Sequence, residues 1–384
     1  MIAADAAEHS ARVREHIAAK IRAGGGWMSF EQFMDLALYA PGLGYYSGGA
    51  RKLGPDGDFT TAPETSRLFG ACVAVQCAEI LQSADNGSIL EIGAGSGRMA
   101  ADILMRLDIL GRLPSRYSIL EISADLRDRQ RELLQNRLPH LVHRVQWLDA
   151  PPAEEFDGII LANEVLDALP VARFRWHAAG VEEIGVTFGG AQFAWEARPA
   201  RGAMISSCRE LFAESGAWDD GYVSEYCPRL ADWVAGVTDR LRRGAVLWFD
   251  YGLPRRQYYL PERHDGTLVC HFRHQLSEDP FDNIGLQDIT AWVDFTRVAQ
   301  GCSAAGLEVA GFTTQAHFLA ALGIDREMQL AAGGDETLFA RLANQARRLM
   351  MPGEMGESFK AMACLRGIDV PLTGFSLLDL RHTL

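Results

Sequence analysis

Three glycines at alternate positions, Gly93, Gly95 and Gly97, follow a short apolar run at residues 89–92. That run has the composition of a buried strand, and a helical pattern begins directly after the loop. Glycines in such a turn allow tight backbone geometry and leave no Cβ to keep a ligand away from the main chain. The helix that follows presents unpaired N–H groups, which suit an anionic group. The pattern predicts a cofactor-binding loop, although an ordinary βα turn can carry the same glycines.

Acidic residues near the ends of the neighbouring runs indicate which cofactor the loop holds. Glu121 ends the second apolar run, at 117–122, where a carboxylate can accept hydrogen bonds from ribose hydroxyls. Nicotinamide enzymes use the same acid, but their fingerprint is G-x-G-x-x-G, whereas this loop is G-x-G-x-G. Asp149 follows the third run and is a candidate for the adenine end, or else a solvated helix cap. We also predict Glu91 as a cofactor contact. The spacing of the glycines favours S-adenosyl-L-methionine over NAD as the cofactor.

Polar residues also follow the fourth predicted strand, at 158–162. Asn163, Glu164 and Asp167 come outside its carboxyl end, which is where open α/β sheets bind ligands. Two carboxylates there suit a cationic acceptor, since a carboxylate can grip a guanidinium with two hydrogen bonds and orient one nitrogen. We therefore predict Glu164 and Asp167 as catalytic residues and Asn163 as a cofactor contact. A helix-start pair favoured by the helix dipole is the alternative.

The order of elements around these residues predicts an α/β fold. Short apolar runs alternate with helical patterns, which indicates βαβ units and a mostly parallel sheet with helices on both faces. Two late runs, at 307–313 and 359–365, are expected to close the sheet as an antiparallel pair. We predict four regions: 1–84, a helical N-terminal segment with a lid loop; 85–172, the Rossmann-like cofactor-binding core; 173–243, an inserted α+β region that docks the substrate; and 244–384, the completion of the core sheet with helical insertions.

Charge and cysteine usage limit the partners and the compartment. The chain has 37 basic and 50 acidic side chains, and a net charge of −13 is the wrong sign for nucleic-acid binding but suits a basic protein partner. Its 7 cysteines are scattered without metal-ligand spacing, which predicts no metal site and a reduced, cytoplasmic setting. The first 22 residues do not have the pattern of a targeting peptide, and we expect no membrane insertion.

Several longer runs lie in order along nearly the whole chain. They are residues 28–34, 37–46, 57–64, 93–97, 163–170, 250–252, 266–268, 288–295 and 356–360. Together they resemble the MidA-like family, which has a mitochondrial member that methylates an arginine of a respiratory complex I subunit during assembly of that complex. The resemblance implies a class I methyltransferase sheet of seven strands, S-adenosyl-L-methionine as methyl donor, and a protein arginine, such as one in a complex I subunit, as acceptor.

The resemblance also draws attention to the loop that precedes the core. Asp58, Phe59, Thr60, Thr61 and Pro63 are predicted to form a lid that folds over the cofactor and excludes water. A packed Ω-loop is the alternative. Two other functions stay open at this point: a methyltransferase for a small molecule or another acceptor, and an assembly chaperone that binds the cofactor without turnover.

Overall fold

The computed structural model describes residues 4–48, 60–84, 87–215 and 218–384. The helices are α1 Ala4–Ala23, α2 Phe30–Tyr39, α3 Ala62–Thr65, α4 Arg67–Leu81, α5 Arg98–Ile109, α6 Ala124–Arg137, α7 Ala203–Ser215, α8 Leu230–Thr238, α9 Arg255–Tyr258, α10 Phe295–Ala304, α11 Gln315–Ala321, α12 Ile324–Ala332 and α13 Glu336–Met350. The strands are β1 Trp27–Ser29, β2 Ser88–Ile92, β3 Tyr117–Leu120, β4 Val145–Leu148, β5 Phe156–Asn163, β6 Ala172–His177, β7 Gly180–Gly189, β8 Gln192–Pro199, β9 Val223–Tyr226, β10 Leu241–Leu253, β11 Val269–Phe272, β12 Gln275–Ser277, β13 Asp288–Thr290, β14 Val293–Asp294, β15 Glu308–Thr314 and β16 Phe359–Arg366. Within these ranges no helix combines the length and the apolarity needed to span a bilayer.

The larger sheet has eight strands, and seven of them follow one path in the order β15-β16-β10-β5-β2-β3-β4. The strands from β4 to β10 on this path are parallel, while β16 is antiparallel to both of its neighbours. The eighth strand, β14, contributes two residues that pair with Gly252 and Leu253 at the end of β10. The sheet is mixed with parallel strands in the majority, and it has eight strands where seven were predicted because the two-residue strand β14 pairs with the end of β10.

Helices cover both faces of this sheet because its central strands are apolar on both sides. In β5, Ile159 and Leu161 pack into the cluster that contains α4 and α5. The alternate residues, Ile160 and Ala162, pack into the opposite cluster with α8 and α10. The period of two along each strand therefore divides the core into two layers, and it fixes which way the loops at the strand ends face.

A second sheet has the order β1-β7-β6-β9, and its fifth strand, β8, also pairs with β7. Its first strand comes from the N-terminal segment, which is therefore not only helical: Trp27 pairs with Thr187 and Ser29 with Gly185. Ser29 then caps the start of α2, where its hydroxyl accepts the N–H of Gln32 at 3.3 Å. Residues before the core thus fold against the region 173–243, whereas α4 packs within the core.

Candidate active site

The carboxyl ends of β2, β3 and β5 open into a cavity of about 590 Å³, a size typical of sites for small organic ligands. The residues predicted for the site that line its wall are Glu91, Gly93, Gly95, Glu121, Asp149, Asn163, Glu164, Thr61 and Pro63. Three others, Gly97, Asp167 and Thr60, are described but lie outside the wall. Asp58 and Phe59 fall outside the described residues.

The glycine loop has the backbone geometry that its spacing predicts. Gly93, Gly95 and Gly97 have φ values of 65°, 55° and 84°, a region that strains residues with a side chain. Gly97 caps the start of α5, and a Cβ there would lie 3.1 Å from Cγ of Gln130. This glycine therefore allows α6 to pack behind the loop, and its predicted contact with the cofactor stays a prediction.

Glu121 is buried at the end of β3 and held in place by defined donors. One oxygen accepts the N–H of Ser123 at 2.9 Å, and the other accepts from Nε2 of Gln130 at 3.2 Å. The same Nε2 donates to the carbonyl of Gly95 at 2.8 Å. The Oε1 atom of Gln130 accepts a hydrogen bond from Nε1 of Trp147 at 2.9 Å. Gln130 thus ties the glycine loop to the acid beside it. No sequence pattern indicates a role for Gln130, because it lies in the middle of an otherwise polar helix.

The other two acids at this end of the cavity differ in exposure. Glu91 is buried in β2, where burial raises the pKa of its carboxyl to about 7 although Tyr117 donates a hydrogen bond to it at 2.8 Å. Asp149 lies at the rim with an exposed side chain that forms an ion pair with Arg127. Both residues line the cavity wall, but only the side chain of Asp149 is exposed to solvent.

These residues fit the predicted cofactor. The glycine loop leaves main-chain atoms open to the cavity, and Glu121 lies where a ribose carboxylate contact is expected. The N-terminus of α5 begins directly behind the loop. An amino-acid carboxylate is stabilised by such a helix end.

Glu164 holds an unusual position after β5. Its φ is 53°, a left-handed conformation that costs a residue with a side chain about 1–3 kcal/mol. Its N–H donates to the carbonyl of Phe249 at 2.8 Å, and its carboxyl accepts from Nδ2 of Asn163 at 3.0 Å and from the N–H of Ala62 at 3.4 Å. Strain of this kind is commonly found at functional sites, where the surrounding structure imposes it.

Asp250, at the end of the buried part of β10, fixes the turn that follows Glu164. Its Oδ2 accepts the N–H groups of Val165, Leu166 and Asp167 at 3.2, 2.9 and 3.3 Å. Its Oδ1 accepts the N–H of Tyr251 at 2.9 Å. The sequence places Asp250 only in a family run, at 250–252, because a contact across 84 residues of chain is not visible in local order.

Burial makes this group of acids hard to ionise. It raises the pKa of Glu164 to about 8, with the neighbouring charge of Asp167 as the next cause. It raises the pKa of Asp167 to about 6, and the pKa of Asp250 well above its ordinary value. In the described part of the chain, no lysine or arginine neutralises any of the three. Asp167 is buried and lies outside the cavity wall, beside Glu164, and its predicted catalytic role stays a prediction.

The far end of the cavity is aromatic and acidic. The rings of Tyr39 and Tyr46 stack with centroids 5.5 Å apart and 20° between their planes. The hydroxyl of Tyr39 donates to the carbonyl of Ala168 at 2.9 Å, and that of Tyr46 donates to Asp288 at 2.9 Å. The sequence placed Tyr46 in a family run but did not identify its contact, which joins residues 242 positions apart.

The described end of the predicted lid lies beside both the glycine loop and Glu164. Thr61 and Pro63 line the cavity, and Glu64 forms an ion pair with Arg98 at 3.1 Å. Thr60 is exposed and lies outside the wall, and its predicted place in the lid stays a prediction. Closure of the lid stays a prediction.

Comparison with known proteins gives consistent matches over the chain. Residues 72–313 match a family of S-adenosyl-L-methionine-dependent methyltransferases. The mitochondrial protein arginine methyltransferase NDUFAF7 of Danio rerio is 30% identical over 426 residues, which cover 96% of this chain and 93% of that protein. Its counterpart in Xenopus laevis is 27% identical over 403 residues, covering 94% and 88%. A methyltransferase crystal structure from Burkholderia thailandensis, with S-adenosyl-homocysteine bound, is 40% identical with a TM-score of 0.95 and covers 100% of this chain and 99% of that one.

The predicted cytoplasmic location is wrong by these comparisons, since the curated relatives are named as mitochondrial proteins. The prediction rested on unpaired cysteines and on acidic residues in the first helix. Neither feature distinguishes the cytoplasm from another reducing compartment.

Proposed function

Because the chain belongs to the family of S-adenosyl-L-methionine-dependent methyltransferases, we propose that its acceptor is an arginine side chain of a partner protein. The methyltransferase activity and the cofactor expected from the sequence are confirmed by the family match and by the neighbour with S-adenosyl-homocysteine bound. Support for an arginine acceptor comes from the relatives named protein arginine methyltransferases and from the chemistry of the cavity.

One observation carries this proposal: a partly buried carboxyl in the cavity wall that has no cationic partner within the described residues. Glu164 faces the cavity, with Asp167 and Asp250 buried behind it. Buried carboxylates without a counter-ion are costly, and a cationic ligand removes that cost. A guanidinium suits the position because it stays charged at any accessible pH and can bind a carboxylate with two parallel hydrogen bonds.

In the proposed mechanism, Glu91, Gly93, Gly95, Glu121, Asp149 and Asn163 hold the cofactor, which supplies a methyl group on a sulfonium for displacement by a nitrogen. Glu164 orients the guanidinium so that one nitrogen is aligned for in-line attack. Its carboxyl, ionised when the guanidinium is bound, accepts the proton that the guanidinium loses on methyl transfer. Asp167 and Asp250 act indirectly, through charge and through the turn they hold.

The stacked tyrosines complete the acceptor site. A guanidinium is flat and weakly hydrated, so aromatic faces bind it better than they bind an ammonium. Tyr39 and Tyr46 both line the cavity, and their hydroxyls are engaged by Ala168 and Asp288. The rings are therefore fixed as a wall beside Glu164, which favours arginine over lysine as the acceptor.

A protein acceptor also needs a docking surface outside the cavity. We propose that the region 173–243 supplies it, because this region and α2 border the far end of the cavity through Cys227, Arg229 and Asp35. The family resemblance makes subunits of respiratory complex I the first acceptors to test.

The proposal is tested by incubating the enzyme with cofactor that carries a deuterated methyl group and with a lysate, followed by tandem mass spectrometry of proteins and metabolites. We expect the label on arginine in one or a few proteins, and no label with the Glu164→Gln variant. Label only on metabolites or on other side chains would contradict the arginine acceptor. No label at all, with cofactor binding intact, would favour an assembly chaperone without turnover.

A further inference from the structure

An ion pair in the cavity wall joins α3 to the start of α5. Glu64 of α3 lies 3.1 Å from Nε of Arg98, the first residue of α5. Glu64 also accepts a hydrogen bond from the hydroxyl of Ser96 in the glycine loop. The side chain of Glu64 is 5% exposed and that of Arg98 is 45% exposed. All three residues line the cavity, so the pair is open to a ligand.

The pair lies where the remaining part of the cofactor must fit. In the sheet, β2 lies between β3, which ends at the ribose contact Glu121, and β5, which leads to Glu164. The short helix α3, which carries Glu64, contacts both Glu164 and the glycine loop. The N–H of Ala62 donates to Glu164, and the hydroxyl of Ser96 donates to Glu64. With the ribose at Glu121 and the methyl group facing Glu164, the third substituent of the sulfonium is left for the wall formed by Glu64 and Arg98.

We propose that Glu64 and Arg98 form the subsite for the amino-acid end of the cofactor. Glu64 accepts hydrogen bonds from the ammonium group, and Arg98 pairs with the carboxylate. This inference depends on the cofactor and not on the arginine acceptor.

The charges and donors of the pair match this end of the ligand. The amino-acid end is a zwitterion, so a neutral pair of opposite charges can give each of its groups a counter-ion without adding net charge to the site. A guanidinium has five N–H donors, and in the described part of the chain Arg98 uses Nε for Glu64. The N-terminus of α5, which begins at Arg98, further favours a carboxylate at this position.

The alternative is that Glu64 only fastens α3 to the glycine loop. The two roles differ in which ligands they affect. If Glu64 only holds α3 against the glycine loop, its loss changes the shape of the whole cofactor site and weakens the binding of every ligand that contains the nucleoside. A subsite for the amino-acid end matters only for ligands that carry that end.

The experiment measures binding by isothermal calorimetry for the full chain and four variants. Glu64→Gln and Arg98→Gln test the pair, and Glu132→Gln and Arg112→Gln are controls at exposed positions. The probes are S-adenosylhomocysteine, its decarboxylated analogue, and 5′-methylthioadenosine, which lacks the amino-acid end. Both test variants should bind S-adenosylhomocysteine about tenfold to a hundredfold more weakly, as expected for the loss of one charged hydrogen bond, and bind 5′-methylthioadenosine as the unmodified chain does.

The decarboxylated analogue separates the two residues. Arg98→Gln should bind it as well as the unmodified chain does, whereas Glu64→Gln should still bind it weakly. Equal weakening for S-adenosylhomocysteine and 5′-methylthioadenosine would overturn the subsite in favour of the fastening role, and no change for either ligand would also overturn it. If Glu64→Gln does not fold, the half-exposed Arg98→Gln variant decides the question alone.

Discussion

The two ends of the cavity differ in how their acidic side chains are neutralised. At the cofactor end, Glu121 accepts from Ser123 and Gln130, Asp149 pairs with Arg127, and Glu64 pairs with Arg98. At the acceptor end, Glu164 is partly buried and Asp167 and Asp250 are buried, with N–H and amide donors but no basic side chain among the described residues. Glu121 and Glu91, which accept from the neutral donors Ser123, Gln130 and Tyr117, are the exceptions at the cofactor end.

This difference indicates what each end is built to bind. A site whose acids are already paired suits a cofactor with hydroxyl groups and no net charge at its amino-acid end. A site with buried, unpaired carboxyls is less stable empty than filled, and a cation is the ligand that stabilises it most. The electrostatic cost of the acceptor end is therefore an indication of function, as is the left-handed backbone at Glu164.

The largest expected effect is on catalysis. Glu164→Gln keeps the shape of the side chain but removes its charge, so kcat should fall by about 10²- to 10⁴-fold, the range for a positioned acid or base. Affinity for S-adenosylhomocysteine should stay within about twofold of the unmodified chain, because the cofactor end does not depend on this charge. Steady-state kinetics and calorimetry check both. The exposed Glu154→Gln is the control, and a parallel loss of cofactor binding would remove the distinction between the two ends.

The second effect concerns the cofactor end alone. Gly93→Ala places a methyl group on the cavity wall at a φ of 65°, 3.2 Å from Val165. We expect S-adenosylhomocysteine to bind at least about tenfold more weakly, since the main chain can no longer approach the ligand closely. Gly111→Ala has the same φ of 65° in open space and provides the control for backbone strain. Equal cofactor binding in the two variants would show that the loop does not contact the ligand.

The third effect is a pH dependence of stability that belongs to the acceptor end. The folded pKa values of Glu164 and Asp167, about 8 and about 6, lie above the ordinary 4.5 and 3.8. Between these limits the folded state binds protons that the unfolded chain has released, so the free energy of unfolding falls as pH rises from about 4 to about 8.

Glu164→Gln removes one of these titrations. Relative to the unmodified chain, the variant should therefore gain roughly 2–4 kcal/mol of stability between pH 5 and pH 8, with no further gain at higher pH. Urea unfolding at the two pH values measures this difference. If the free energies of unfolding of the two proteins differ by the same amount at pH 5 and pH 8, Glu164 is already ionised in the folded state at pH 5.

The smallest effect concerns the aromatic wall. Tyr39→Phe keeps the ring that stacks on Tyr46 and removes the hydrogen bond to Ala168, in the turn after Glu164. Loss of one hydrogen bond of about 1 kcal/mol should raise KM for the acceptor about fivefold and leave cofactor affinity unchanged. A change in cofactor affinity instead would place Tyr39 at the other end of the cavity.

Local order in the sequence indicates residues at strand ends better than the long-range contacts that hold them. The glycine loop, Glu121 and Glu164 follow directly from strands, and the carboxyl ends of parallel strands meet at one edge of a sheet. Gln130, Asp250 and the contact of Tyr46 with Asp288 join segments that are far apart in the chain, so no local pattern indicates them. The three-residue strand β1 was missed for the same reason, since its partner β7 lies more than 150 residues later.

The central claim is that the acceptor end is built for a guanidinium, and proton release on binding tests it most directly. An acceptor peptide identified by the labelling experiment is titrated in the presence of S-adenosylhomocysteine at pH 7, in two buffers of different ionisation enthalpy. Its counterpart with citrulline in place of arginine is measured in parallel. We predict that the arginine peptide binds with release of about one proton, since a guanidinium lowers the pKa of the carboxyl it pairs with, and that Glu164→Gln abolishes the release. Equal binding of the citrulline peptide, or binding without proton release, would contradict the account.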